Sequence, residues 1–242
     1  MAFMNYTFRT ELTDFDANGN FTNSAMLKYL QEAGALHSDA VHMGFHDTAN
    51  TGFTWILINW KLQVFARPAW NSTISVKTWC SKVEKIHTFR DFEVYDENHQ
   101  LLAQATSKWI LFNIRTNRME RNLERFIDLY SLEQVSVFPS IEEKLKEPDS
   151  YDFRKDFPVF RRDIDTNHHV NNISYLKFAY EVLPEETIFP NDFSGIEIMY
   201  KNSTVLGEDY AVLVKKESDD FYIVTIKSTD LTALHAIIYL KR

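Results

Sequence analysis

Histidine is the side chain best suited to taking up a proton near neutral pH, because its ordinary pKa is about 6.5. In the stretch RRDIDTNHHVNNISYLKF, Arg161 to Phe178, His169 stands in a polar turn that runs into an apolar, helix-like segment. The first N–H groups of a helix have no partner within it, and they point forward with the positive end of the helix dipole. The amides at Val170 and Asn171 are therefore candidates to bind a developing oxyanion. His169 is the candidate to accept a proton from the attacking group. Asp163, Asp165, Asn167, Asn171 and Asn172 have a second reading, since these residue types also fix turns and cap helices. Nothing in capping requires His169.

The elements that position this motif occur twice. DFDANGNFTNSAMLKYLQEA, from Asp14, aligns without a gap on DIDTNHHVNNISYLKFAYEV, from Asp163. The identical pairs are Asp14/Asp163, Asp16/Asp165, Asn18/Asn167, Asn23/Asn172, Leu27/Leu176, Lys28/Lys177 and Glu32/Glu181. A second block follows in each copy, FTWILINWK from Phe53 and FSGIEIMYK from Phe193, sharing Phe53/Phe193, Ile56/Ile196, Ile58/Ile198 and Lys61/Lys201. Two blocks in the same order point to duplication of one small domain, with a period too long for a solenoid. Where the second copy has His169 the first has Asn20, so one copy reads as retired from catalysis and the other as active. The expected organisation is a first domain over 1–130, a linker over 131–150 and a second domain over 151–242. The charged, proline-bearing run SIEEKLKEPDS, Ser140 to Ser150, marks the boundary.

Within each copy a turn leads into a helix. Asn23 or Thr22, and Asn172 or Asn171, suit the N-caps. Leu27, Leu30 and Gly34, and Leu176, Ala179 and Leu183, give the spacing of a helix buried along one face, with Pro184 stopping the second. Strands follow: alternation at Ile74, Val76 and Thr78, then 88–95, 101–114, 210–215, 221–228 and 231–240, with turns at 96–99 and 218–220. Residues 122–130 read as a short helix. A helix followed by antiparallel strands, twice over, is an α+β pattern in which each helix lies across its sheet.

Composition agrees with two cored domains. Of 242 residues, 45% are hydrophobic and 25% charged, with Phe 19, Tyr 11 and Trp 5. A net charge of −8 without a long basic run argues against nucleic-acid binding. Cys80, the one cysteine, excludes an internal disulfide and reads as structural. His37, His42 and His46 straddle Gly44 without a metal-ligand signature, so no metal is expected. With no apolar leader and no membrane span in sight, the expected location is cytoplasmic.

Three stretches together resemble the acyl-acyl carrier protein (acyl-ACP) thioesterases. RRDIDTNHHVNNISYLKF is similar to that family's Asp-x-Asn-x-His-Val-Asn-Asn signature. RPAWNSTISVKTW and FRDFEVYDENHQLLAQATSKWILFNIRTNRM resemble the strands after its N-terminal helix. The resemblance runs from about Tyr6 to Asp209. It implies two tandem hot-dog domains, each a long helix wrapped by an antiparallel β-sheet.

It also implies hydrolysis of fatty acyl-ACP thioesters to free fatty acid, without a cofactor, ending fatty acid synthesis. The family's active-site Asp, Asn and His fall on Asp165, Asn167 and His169, with Asp165 holding the turn or orienting a partner. The family's glutamate and the plant enzymes' following cysteine are replaced here by Ser203 and Thr204, which excludes a nucleophilic cysteine at that place. Met26, Leu30 and Ala33 on the helix stripe, with Trp55, are core residues that the resemblance also casts as acyl-pocket lining. An acidic carrier protein needs a basic surface, offered by Arg115, Arg118, Arg121 and Arg125 or by Arg154, Lys155, Arg161 and Arg162. The duplicated chain is compatible with a monomer or a homodimer. The rival readings are an acyl-CoA thioesterase and a non-catalytic acyl-thioester-binding protein.

Overall fold

The structure, a computed structural model, describes residues 3–141, 144–184, 187 and 193–242. Glu142 and Glu143 of the expected linker and the side chain of Arg125 lie outside that description. The chain forms two compact units, Met1–Ile58 with Leu62–Ile141, and Asn59–Lys61 with Glu142–Arg242.

In the first unit the elements are β1 (Met4–Arg9), α1 (Asn23–Ala40), α2 (Thr48–Thr51), β2 (Phe53–Val64), β3 (Thr73–Glu84), β4 (His87–Tyr95), β5 (Leu101–Asn113), β6 (Arg118–Met119) and α3 (Glu124–Tyr130). Strand order is β1-β3-β4-β5-β2, with β6 beside β5. The β4–β5 turn is fixed by Asp96, whose carboxylate accepts the Asn98 and Gln100 amides, and by His99 at φ 61°. Thr22 caps α1 by accepting the Ala25 amide at 3.1 Å. The stripe of α1 is fully buried at Met26, Leu30 and Ala33, with Leu27 beside it, and the helix packs on β1 and β3. Gly34 faces the sheet over Arg90 and Phe92: a Cβ there would come 3.4 Å from Arg90 Cδ and 3.7 Å from Phe92 Cζ, ordinary contact distances.

Part of the expected linker is fastened to this unit. Glu133 N–H donates to Cys80 O, Trp79 Nε1–H to Val135 O and Val137 N–H to Asp91 Oδ2. Trp79 and Asp91 alternate along their strands with Thr78, Cys80, Arg90 and Phe92, so the two side-chain ties lie on the sheet face turned away from α1.

The second unit contains β7 (Phe153–Pro158), α4 (Asn172–Tyr180), β8 (Gly195–Tyr200), β9 (Asp209–Ser218), β10 (Phe221–Ser228) and β11 (Leu234–Lys241), ordered β8-β11-β10-β9-β7. Asn171 caps α4, accepting the Ile173 amide at 2.9 Å. This helix has 9 residues against 18 in α1. Leu183 is buried but lies beyond the helix end, a departure from the expected stripe. The residue before a proline avoids helical geometry, which explains why the chain leaves the helix ahead of Pro184. The last strand starts at Leu234 and not at Leu231. Leu231 has φ 64°, and the Asp230 carboxylate accepts from Ser228 Oγ and the Thr232 amide, so these residues form a turn. Leu145 is buried with Met199, Ile223 and Ile237. Among the described residues, no helix is long and apolar enough to cross a membrane.

At the start of α1, Asp14 is 2% exposed and accepts the Glu11 amide, the Tyr29 hydroxyl and Lys28 Nζ. Burial alone would raise the Asp14 carboxyl, but these three donors overcome it and hold it below the ordinary value, while burial and Asp14 push Tyr29 up to about 12. A carboxylate whose pKa is lowered by folding stabilises the fold above its unfolded value and loses that contribution as pH falls through the folded one. Asp14→Asn should therefore cost about 1–3 kcal/mol at neutral pH. Its deficit relative to wild type should shrink as pH drops below about 4. Urea titrations across that range give the measurement; a deficit independent of pH would assign the loss to packing.

Candidate active site

The turn ahead of each helix is built by one carboxylate. Asp165 Oδ1 accepts the Asn167 amide at 2.8 Å and the His169 amide at 3.4 Å, and the Asp165 amide donates to His169 O at 2.8 Å. In the first copy Asp16 Oδ1 accepts the Asn18 amide at 2.9 Å and the Asn20 amide at 2.8 Å, and its own amide donates to Asn20 O. His168 N–H donates to Asp165 O, as Gly19 N–H does to Asp16 O. His168 has φ 62° and Gly19 φ 77°, so both occupy the left-handed region. The two turns thus share backbone and carboxylate. What differs is the side chains displayed, and in the second copy Asn167 and His169 are both exposed.

The segment after β8 braces the later turn through its backbone, whereas in the first copy Arg67 donates to Phe21 O. Val170 N–H donates to Thr204 O at 2.8 Å, and His169 and Val205 form an antiparallel bridge. The segment bearing Ser203 therefore runs beside the one bearing His169, with Ser203 itself exposed. Thr204 is buried and clamped from α4: Tyr175 OH lies 3.0 Å from Thr204 Oγ1 and accepts the Thr204 amide at 3.2 Å. Tyr200 OH donates to Asn172 O, stitching the end of β8 to the start of α4. Glu208 Oε2 accepts the Val205 amide at 3.0 Å and closes the loop after Ser203. Burial pushes the Tyr175 phenol up, with further contributions from Glu208 and Asp165, so it remains a neutral hydrogen-bonding group.

The expected oxyanion-binding amides need correction. Val170 N–H is taken by Thr204 O and Asn171 N–H by Asp163 O, each at 2.8 Å. A donor already satisfied at that distance is not available to a substrate oxygen in this arrangement. The bond to Asp163 has its counterpart in Thr22 N–H to Asp14 O, so it belongs to the turn itself. Asn167, which carries two donors on its side-chain amide, is the sequence-singled group left to polarise a carbonyl.

Met26, Leu30 and Ala33 line the inner face of α1. Trp55 packs in a different cluster with Met43, Leu111, Leu123, Phe126 and Tyr130, its Nε1–H donating to the Tyr130 hydroxyl at 2.9 Å. Of the arginines, Arg118 and Arg121 are exposed, while Arg115 donates to Asn50 O. Arg154 is held by both oxygens of Asp156, and the Arg162 guanidinium lies over the Phe160 ring. Arg125's side chain lies outside the described residues. Cys80 is half-buried, and burial pushes its thiol up. His37 faces inward onto Arg90 at 2.7 Å. Tyr175 was not singled out from the sequence. The repeat carried a signal for it, because it occupies the place of Met26 and puts a polar tip on an apolar stripe.

Comparisons with known proteins bear on the family and the fold. The pattern describing the acyl-ACP thioesterase N-terminal domain matches residues 2–130, and that of the C-terminal domain matches 146–238. An oleoyl-acyl carrier protein thioesterase of Coriandrum sativum is 25% identical, covering 86% of this chain and 61% of its own length. An oleoyl-acyl carrier protein thioesterase of Arabidopsis thaliana is 27% identical, covering 76% of this chain and 56% of its own. The chain thus spans about three-fifths of the length of these curated relatives. Among solved structures, an acyl-ACP thioesterase of Bacteroides thetaiotaomicron superposes with a TM-score of 0.88 at 20% identity, covering 99% of this chain and 97% of that one. The 12:0-ACP thioesterase of Umbellularia californica gives 0.87 at 19% identity, covering 99% and 96%. At such identities the structural likeness is one of fold, and the fold is the tandem α+β hot dog. The sequence match rests on more than fold, and by it this chain belongs to the acyl-ACP thioesterase family.

Proposed function

We propose that this chain hydrolyses fatty acyl thioesters borne by acyl carrier protein, releasing the free fatty acid without a metal or organic cofactor. One contrast carries the reading: the same carboxylate-built turn occurs twice in a chain of this family, and only the second copy presents a histidine, braced beside Ser203–Val205. In the reaction a water adds to the thioester carbonyl carbon as His169 accepts one of its protons. The new C–O bond replaces the C–S bond, and the departing thiolate takes the proton back from the imidazolium. Asn167 orients the water or polarises the carbonyl. Asp165 acts through the turn it holds. Ser203 can donate one hydrogen bond to the water but cannot take its proton at neutral pH, so it does not replace the family's glutamate as a base.

The first unit, with the apolar inner face of α1 at Met26, Leu30 and Ala33, takes the acyl chain. The carrier protein docks on the exposed Arg118 and Arg121 rather than on the face containing Arg154, whose charge Asp156 already neutralises.

His169→Ala should lower hydrolysis by about 100-fold or more. Asn20→Ala, at the matching place in the first copy, should stay within a few-fold; equal losses in two folded proteins would end the division of labour. Ser203→Ala should cost less than roughly tenfold, because it removes at most one hydrogen bond to the water. A Ser203→Ala enzyme as inactive as His169→Ala would make the serine a principal group. Arg118→Glu with Arg121→Glu should raise KM for carrier-borne substrates and barely affect a short thioester lacking the carrier. The panel that checks all of these pairs acyl-ACP with acyl-CoA substrates of graded chain length. Equal use of both donors would favour the coenzyme reading, and turnover of neither would leave a binding protein.

A further inference from the structure

Inside the first unit, α1 meets the sheet through a polar cluster that the proposed chemistry does not use. Arg90, 6% exposed, projects from β4 beneath Gly34. Its Nη1 lies 2.7 Å from His37 Nδ1 and donates to Thr78 Oγ1 at 3.3 Å, while Nη2 reaches Cys80 Sγ at 3.7 Å. The guanidinium sits 5.4 Å from the centre of the Tyr130 ring, which meets the His37 ring edge-on. The Tyr130 hydroxyl is held in turn by Trp55 Nε1–H and Ser38 Oγ.

The hydrogen-bonding character of this cluster is one-sided. A guanidinium only donates, so His37 Nδ1 must accept and the ring proton must sit on Nε2. Burial, and then the charge of Arg90, push His37 down to about 3, so the ring is neutral. Its Nε2–H is buried and has no partner. Among the described residues no carboxylate lies within ion-pair distance of Arg90. Its neighbour Asp91 leaves β4 on the other face, where Thr106 Oγ1 and the Val137 amide hold it. A buried cation without a counter-charge and a buried donor without an acceptor both disfavour the fold unless something accepts from them.

We propose that His37, its tautomer fixed by Arg90, forms an oxygen-binding subsite within the first unit, which takes a hydroxyl, oxo or carboxylate oxygen carried on the acyl chain far from the thioester. The inference rests on the reading that this unit receives the acyl chain. Along α1, Met26, Leu30 and Ala33 stand about three, two and one turns before His37, so the helix face runs from apolar to donor-lined. Methylenes match the first part and cannot satisfy the second. A chain ending in an oxygen supplies the acceptor that His37 Nε2–H lacks.

The test compares carrier-borne acyl thioesters of graded length, unsubstituted and ω-hydroxylated, through the ratio of their kcat/KM values. At one chain length the wild-type ratio should favour the hydroxylated substrate by about tenfold, the size expected for pairing a buried donor otherwise left without an acceptor. Arg90→Met should erase that preference, mainly through KM. His37→Gln keeps an acceptor for Arg90 and a donor beyond it, and should retain the preference; His37→Leu should lose it and serves if Arg90→Met does not fold. A wild-type ratio near one at every length, or the same preference kept in both Arg90→Met and His37→Leu, overturns the subsite. Calorimetry with matched non-hydrolysable acyl amides reads the same preference without turnover. A chain that binds the hydroxylated amide preferentially yet hydrolyses nothing would refute the proposed function and leave the subsite standing.

Discussion

A carboxylate that bonds to amides two and four residues ahead of it sets everything downstream in each copy. Asp16 and Asp165 fold the chain back so that the next residues can cap a helix, and the helix then starts at a fixed place over its sheet. These bonds are local and cost little chain entropy to close. The geometry is therefore indifferent to what the turn displays, and duplication could leave one copy structural while the other presents a proton acceptor. The shared aspartate is explained by the shared turn. A catalytic assignment has to rest on the side chains that differ or project.

The parts legible in the sequence are the parts that depend on neighbours in sequence. The N-caps Thr22 and Asn171, the hairpin at Asp96–His99 and the α1 stripe all follow from short-range patterns. The amides of Val170 and Asn171 show where that reasoning stops. The rule that first-turn amides lack partners within the helix says nothing of Thr204 O, which arrives from a loop more than thirty residues away and takes one of them. The helix end was expected nearer Pro184 and the last strand at Leu231. In both places a turn residue or a proline constraint overrode the apolar pattern.

The same limit hid Arg90 and Tyr175. An arginine in an alternating strand reads as the exposed partner of the buried residues around it. Only the register of β4 beneath Gly34 places it against His37. Tyr175 looks like one more aromatic on a helix until Thr204 is brought under its hydroxyl. Both are polar groups on an apolar face, and their partners are set by tertiary packing rather than by spacing.

His168 shows what the second turn gives up. A glycine adopts the left-handed conformation freely, as Gly19 does, whereas a side chain there costs about 1 kcal/mol. A library randomised at 168 and enriched only for survival of heating would converge on glycine or asparagine. One enriched for turnover would keep whatever side chain the reaction prefers next to His169. The difference between the two recovered sets would separate, at one position, selection for an intact fold from selection for a working surface.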